Sequence, residues 1–332
     1  MPEVCRRRSV FSQMGARDLS SVLRHTVCRQ CLPGAQWPRT MASPPCAGSR
    51  SLLGAGKRPR PFLLDLFSGA RGPVGRAIRR RGWDVLAYDL VVQGDEGDLT
   101  NQAVKRSIAG KIQRGDARAA MVAPPCSSFT VAWNRVWEAR PSHLPWGSFE
   151  NLALADQVKV LNGNATLRAA LFFIRVLESK RCPWMLEQPT TSRMWLIPQV
   201  AELQRKPHVT MYFLDQCGWG APWRKATSIL CSRIAPEHAV RLCRTCTSSG
   251  GGVCGFSQKC HIRLSGGDPS TGQAMTRTAA RYPRELANWL GFLLTDAVSD
   301  EAPLSLSTSQ RGRGAELQGC QGSTPHNRGV SF

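Results

Sequence analysis

The pattern of apolar and polar positions changes character at residue 61. Before it, residues 1–60 lack sustained periodicity and are broken by Pro, Gly and Ser, the pattern of a disordered basic leader. From Pro61 onward, short apolar runs alternate with amphipathic stretches. "PFLLDLF" reads as a strand, "GPVGRAIRRRG" as a helix stopped by glycine, and "WDVLAYDL" as a second strand. "TNQAVKRSIAGKIQRG" predicts a helix, and "AAMVAPP" a strand halted by proline. A helix over residues 164–179 precedes the strand "CPWMLEQP", and "HVTMYFLDQ" and "KATSILCS" follow as two more strands. Strand and helix alternating through short junctions predict an α/β fold with a parallel sheet covered on both faces. Residues 232–275 break the rhythm with cysteines and glycines; "RYPRELANWLGFLLTDAV" then closes the pattern as a helix. The resulting division is a leader (1–60), a catalytic-size α/β unit (61–231), a Cys-rich region (232–275), a closing helix (276–298) and a disordered polar tail (299–332).

Composition narrows the partners. Lys+Arg number 44 against 23 Asp+Glu, a net charge of +21 over 332 residues. Arginines run through the middle of the chain as well as its ends, which points to a polyanion, because Lys and Arg displace counterions from phosphates. No stretch has the uninterrupted apolar length expected of a membrane span. The 13 cysteines do not read as a secreted disulfide framework, since the count is odd and several crowd into residues 243–260. Residues 1–40 are Arg- and Ser-rich with few acids, as in an organelle transit peptide; a non-structural leader fits the same composition. Cys28 and Cys31 form a lone C-x2-C there.

In an open α/β sheet, ligands bind beyond the carboxyl ends of the strands. The first strand runs into "DLFSGARGPVG", where glycines let backbone approach a ligand and turn into a helix. Asp65, and Asp89 after the second strand, suit the hydroxyls of a ribose. The loop is neither the G-x-G-x-x-G dinucleotide turn nor a phosphate loop. "MVAPPCSSFT" ends a strand in two prolines and then presents the thiol of Cys126.

Taken in order, "DLFSGARG", "YDL", "GDLT", "APPCSSF", "LEQP" and "GAPWRKAT" resemble the motif series of the cytosine-5 methyltransferases. That family's motifs run D-L-F-S-G-x-G-G, an acid after the second strand, G-D-I, P-P-C, E-N-V and Q-x-R-x-R. The resemblance covers roughly residues 61–230. It implies a Rossmann-like S-adenosylmethionine-dependent methyltransferase fold with a small Cys-rich recognition region, and DNA as the substrate, with RNA open as an alternative. S-adenosylmethionine would lie against Asp65, Phe67, Ser68, Gly69, Gly72 and Pro124. Asp89 would take the ribose, Asp98 and Leu99 would border the adenine, and Leu171 with Phe172 would lean on the cofactor. Cys126 takes the nucleophile position and Glu187 the base-engaging carboxylate, with Arg224 and Lys225 as cations that favour the thiolate or hold the base. A nucleus or other DNA-containing compartment follows, or an organelle if residues 1–40 act as a transit peptide.

Several positions depart from the family pattern. "GARG" places Arg71 beside the cofactor loop, Gln188 replaces the asparagine of E-N-V, and Trp223 stands where glutamine belongs. The final G-N-S/A-V segment is absent; "AARYPRELANWL" stands in for it only by position. These changes keep open a non-catalytic nucleic-acid-binding module. Trp133, Trp137, Trp146 and Arg135, in and beside the inserted segment "VWEARPSHLPWGSFENLAL", suit either a nucleic-acid groove or an apolar lid. The cluster "CRTCTSSGGGVCGFSQKCH" has tetrahedral-zinc character, with Cys243, Cys246, Cys254 and His261 as expected ligands and Cys260 as the alternative fourth.

Overall fold

The computed structural model describes residues 60–248, 252–268 and 271–299. The expected leader, its Cys28/Cys31 pair and nearly all of the tail lie outside the described residues. A six-stranded sheet, in the order β2-β1-β3-β4-β6-β5, forms the centre. Its strands are β1 (Phe62–Leu66), β2 (Asp84–Tyr88), β3 (Ala117–Val122), β4 (Trp184–Pro189), β5 (Val209–Asp215) and β6 (Ala226–Ser232). The longer helices are α1 (Pro73–Arg80), α2 (Gln102–Gln113), α3 (Leu154–Ser179), α4 (Pro198–Gln204) and α5 (Arg284–Ser299). The mixed α/β architecture is compatible with a methyltransferase fold.

The expected all-parallel sheet is corrected at one place. β6 runs antiparallel to both neighbours, pairing Glu187 with Ile229 and Tyr212 with Ile229. A strand buried on both faces reads as the same apolar run in either direction, so composition does not carry its polarity.

The two faces follow from strand alternation. Leu64, Leu66, Ala120, Val122, Trp184 and Leu186 turn to one side, under Ile108 of α2, Leu167, Phe173 and Ile174 of α3, and Val200 of α4. Leu63, Ala119, Met121, Met185 and Ile229 turn to the other, under Val74 and Ile78 of α1 and Leu286, Leu290 and Leu294 of α5.

Helix α3 starts at Leu154 instead of residue 164. The "NGN" that resembles a breaker lies inside it, because packing demands glycine there: a Cβ on Gly163 would stand 1.9 Å from Ser128 Oγ. The same helix qualifies the expectation about membrane spans. Its 26 residues are long and apolar enough to cross a bilayer by length and composition, yet 56% of its apolar window is buried inside the protein.

The inserted segment divides its aromatic residues. Trp133 packs in a satellite core with Val136, Ala139, Leu152 and Val160. Trp146 leans on the main core beneath the Arg168 guanidinium. Trp137 is exposed and stacks with Arg193, while Arg135 pairs with Glu138 and Asp156. The segment therefore does not present these residues as one groove.

Candidate active site

The chain turns back across β1 between β2 and β3, so the loops after β1 and β3 diverge and leave a crevice at the carboxyl ends of the strands. A cleft of about 910 Å³ occupies it. Its floor is built by residues 67–71 after β1, Asp89 after β2, Ala123 to Ser127 after β3, and Glu187 near the end of β4. Lys225, just before β6, and Gln273, Arg277, Ala280, Arg281 and Tyr282 complete the wall.

The loop after β1 is held in unusual backbone conformations. Phe67 has φ 60°, a left-handed value that strains an aromatic residue, and Gly72 has φ 43° as it caps α1. Gly69 N–H donates to Asp89 Oδ2 at 2.9 Å, and Val91 N–H donates to Asp89 Oδ1. Asp89 thus ties the first two loops together while lining the cleft. Asp65 lies beneath the loop and is buried. Burial pushes its carboxyl up to about 6, against the Gly75 N–H bond and the Arg79 charge.

Cys126 is half-buried at the end of the proline-stiffened loop. Burial pushes its thiol above the ordinary value of 9.0; the Lys225 ammonium draws it back, and Glu187 adds to the rise. Gln188, which stands in place of the asparagine of E-N-V, ties β4 to the loop that carries Cys126. Its amide donates to the Pro124 carbonyl and its oxygen accepts from Ser192 Oγ.

Glu187 uses its two carboxylate oxygens differently. Oε2 accepts from the Tyr282 hydroxyl at 2.9 Å, while Oε1 is buried without a hydrogen-bond partner. A buried carboxylate oxygen left unpaired inside a cleft is costly unless a ligand completes it. Burial first, then the Glu187 carboxylate, keeps the Tyr282 phenol protonated well above its ordinary range, so it remains a donor. Sequence reasoning missed Tyr282, although it lies in the "AARYPRELANWL" stretch that stands where a closing motif was sought.

The structure gathers Cys126, Glu187, Lys225, Phe67, Ser68, Gly69, Asp89 and Pro124 into one cleft, with Asp65 and Gly72 just behind its glycine loop. It does not bring the remaining expected residues there. Arg224 is turned away, donating from Nε to Asp215 and from Nη1 to the Ser248 carbonyl. Asp98 is used locally by Thr100, and Leu99 and Leu171 are core residues. Arg71, Arg76, Arg277, Arg281 and Lys225 line the cleft against the two acids Asp89 and Glu187, giving it a cationic wall.

A second missed residue is Arg140, which has no exposed surface. Its guanidinium makes five hydrogen bonds, to the Ser128 carbonyl and hydroxyl, the Pro145 and Val160 carbonyls and Asn164 Oδ1. It also stacks 3.7 Å from the Phe129 ring centroid. Arg140 therefore anchors the chain two and three residues beyond Cys126. In the sequence it looks like one more basic residue in a polar insertion.

The cysteine cluster is corrected at one ligand. Cys217, Cys246, Cys254 and His261 bring their ligand atoms within 4.8 Å of one another, a group able to hold a metal ion. Cys243, which follows the 3-10 turn Val240–Leu242, is exposed and outside the group; Cys217 takes the corner expected of it. Cys260 is also exposed and outside the group.

No family model matches the chain. A curated relative from Frog virus 3 (isolate Goorha), a probable DNA (cytosine-5)-methyltransferase, is 23% identical over 167 residues, covering 50% of this chain and 68% of that protein. The similarity is distant and partial, and it is to a methyltransferase.

Proposed function

We propose that the protein transfers a methyl group from S-adenosylmethionine to C5 of cytosine in DNA through a covalent Cys126 adduct. One observation carries this reading: Cys126 and Glu187, remote in sequence, line the same cleft with Lys225 and the glycine loop, and Glu187 keeps one buried oxygen unpaired.

The cleft fits the donor. Open space surrounds Gly69 where a Cβ would stand, Phe67 is held at the mouth of the loop, and Asp89 closes the side after β2. Phe67, Ser68, Gly69 and Asp89 are the residues that would hold it. When bound, S-adenosylmethionine supplies an electrophilic methyl on a sulfonium.

The chain's own groups do the remaining work. C5 of cytosine is a weak nucleophile, so Cys126 Sγ, as the thiolate, adds to C6 and shifts an electron pair toward C5. Glu187 Oε1, bearing a proton, donates it toward N3 of the ring and so offsets the negative charge developing there. Tyr282 holds the other oxygen of Glu187 in place. C5 takes the methyl as the bonding pair stays on the donor sulfur; C5 then gives its proton to solvent water, and the electron pair re-forms the C5–C6 double bond and expels the Cys126 thiolate. Lys225 favours the thiolate at both ends of the cycle. Because C6 is covered in a stacked duplex, the base must swing out to reach Cys126. The cationic wall is placed to receive the flanking phosphates.

The test is methyl transfer by the full-length protein, with radiolabelled S-adenosylmethionine offered to DNA and RNA of the same sequence. Label recovered as 5-methylcytosine in DNA is the expected result. Label confined to RNA moves the substrate to the other polymer. Binding without transfer to either identifies a non-catalytic module.

A further inference from the structure

We propose that Cys217, Cys246, Cys254 and His261 bind a structural Zn²⁺, and that this ion staples the Cys-rich segment to the sheet and so fixes the loop presenting Lys225.

The donor set is the first reason. Three thiols and an imidazole, all buried, converge within 4.8 Å. In tetrahedral zinc, sulfurs stand roughly 3.8 Å apart, as metal–sulfur bonds of about 2.3 Å require. Cys246 Sγ and His261 Nε2 are already 3.9 Å apart. Soft thiolates with one imidazole select zinc over magnesium or calcium.

Surrounding groups orient these donors as metal ligands are oriented. Gly255 N–H points at Cys246 Sγ and Phe256 N–H at Cys254 Sγ, each at 3.4 Å. Ser248 Oγ lies 3.3 Å from His261 Nδ1, which leaves Nε2 facing the sulfurs.

The third reason is what the segment lacks. Its described residues form only the isolated bridges Val253–Cys260 and Gly267–Ala274 beyond short helical turns. Ile234, Ala239 and Leu242 at its start join the main core; beyond them, the buried cluster that residues 243–262 share with the turn after β5 is Cys217, Cys246 and Cys254. A loop whose core is made of thiols has little apolar area to offset its ordering, and small folds of that kind are held by a metal or by bridges.

Cys217 is the ligand that gives the site its consequence, because it belongs to the turn directly after β5. Asp215 Oδ2 beside it accepts from Cys246 N–H and from Arg224 Nε. Gln216 N–H donates to the Lys225 carbonyl, Trp223 Nε1 donates to Gln216 Oε1, and Ile262 N–H donates to the Pro222 carbonyl. Cys246 thus reaches residues 222–225 through Asp215, and Ile262 reaches them directly. The Lys225 clause rests on the cleft being the methyltransferase site; the ligand assignment does not.

The experiment uses full-length, reduced protein and two readouts that need no activity. Elemental analysis is expected to find one zinc per chain, and Co²⁺ exchange the intense thiolate charge-transfer and tetrahedral d–d bands of a three-sulfur site. Cys217→Ser loses the metal, Cys217→His retains it with weaker charge transfer, and Cys243→Ser and Cys260→Ser leave it unchanged. No zinc in the reduced protein, or zinc lost on Cys243→Ser but kept on Cys217→Ser, overturns the site. Hydrogen exchange after chelation reads the coupling. Faster exchange in residues 222–225 together with 243–262 supports the staple, and acceleration confined to 243–262 overturns the Lys225 clause even if zinc binds.

Discussion

The Tyr282 hydroxyl donates to Glu187 Oε2 at 2.9 Å, joining residues 95 positions apart across the wall of the cleft. The contact leaves Glu187 with one committed oxygen and one buried, unpaired oxygen. Tyr282 is thereby a positioning residue for the carboxylate. Removing a hydrogen bond to a charged group costs about 1.5–3 kcal/mol, roughly tenfold or more in rate if it acts in the transition state. Tyr282→Phe is expected to lower kcat by about that factor with KM for DNA little changed. Steady-state kinetics with the pH profile check this; an unchanged kcat removes Tyr282 from the machinery.

The pH response of Cys126 has a definite sign. Its thiol is held above 9.0 first by burial, with Lys225 lowering and Glu187 raising it. Alkylation by iodoacetamide, followed at the Cys126 peptide by mass spectrometry, is expected to accelerate with pH past the ordinary cysteine range. Lys225→Met shifts that profile to higher pH and Glu187→Gln to lower pH. A shift of either variant in the opposite direction contradicts the geometry of the cleft.

Gly163 and Arg140 support the nucleophile loop from α3 and the inserted segment. A methyl at Gly163 meets Ser128 Oγ at 1.9 Å and Arg140 Nη2 at 3.1 Å. Gly163→Ala is expected to destabilise by about 1–3 kcal/mol, as overpacking does, and to lower activity by displacing the chain just beyond Cys126. Arg140→Met strips five hydrogen bonds from buried acceptors and is expected to cost about 3 kcal/mol or more. Urea midpoints measure both.

Much of this arrangement was legible from residue order because its parts sit where apolar runs stop. Pro124 and Pro125 end β3 at Cys126, and Gly69 and Gly72 turn β1 into α1, so local backbone chemistry marks those positions. Residues whose role is set by tertiary contact left no such mark. Cys217 lies 26 positions before the C-x2-C pair and reads as one more core cysteine. Arg140 looks like surface charge, and Tyr282 acquires meaning only when α5 packs under the sheet. Arg224 and Lys225 are neighbours in sequence, yet the Asp215 carboxylate draws one away and leaves the other in the cleft.

At the end of the strands away from the cleft, beside the start of β4, Glu178 collects Trp184 Nε1, Ser232 Oγ, Arg233, Lys206 and His208 within 2.7–3.1 Å. Burial opposes its charge, but the bonds from Trp184, His208, Lys206 and Ser232 outweigh it and hold the carboxyl at about 2, below the ordinary 4.5. A depressed folded pKa contributes stability that is fully present above 4.5 and is lost as pH falls toward 2. Glu178→Gln is therefore expected to lower Tm at neutral pH, with the gap from wild type narrowing on acidification through that window. Calorimetry across pH checks it; a gap that widens toward acid contradicts the sign. Methyl transfer per folded molecule should be unaffected, since Glu178 is remote from the cleft.

The most direct measurement is peptide mapping of the protein trapped on duplex DNA containing 5-fluorocytosine in the presence of S-adenosylmethionine. Fluorine at C5 cannot leave as a proton does, so the enzyme–base bond persists. A stable adduct mapped to Cys126, and absent in Cys126→Ser, is the predicted result. Normal methylation by Cys126→Ser, or an adduct at another cysteine, would contradict the account.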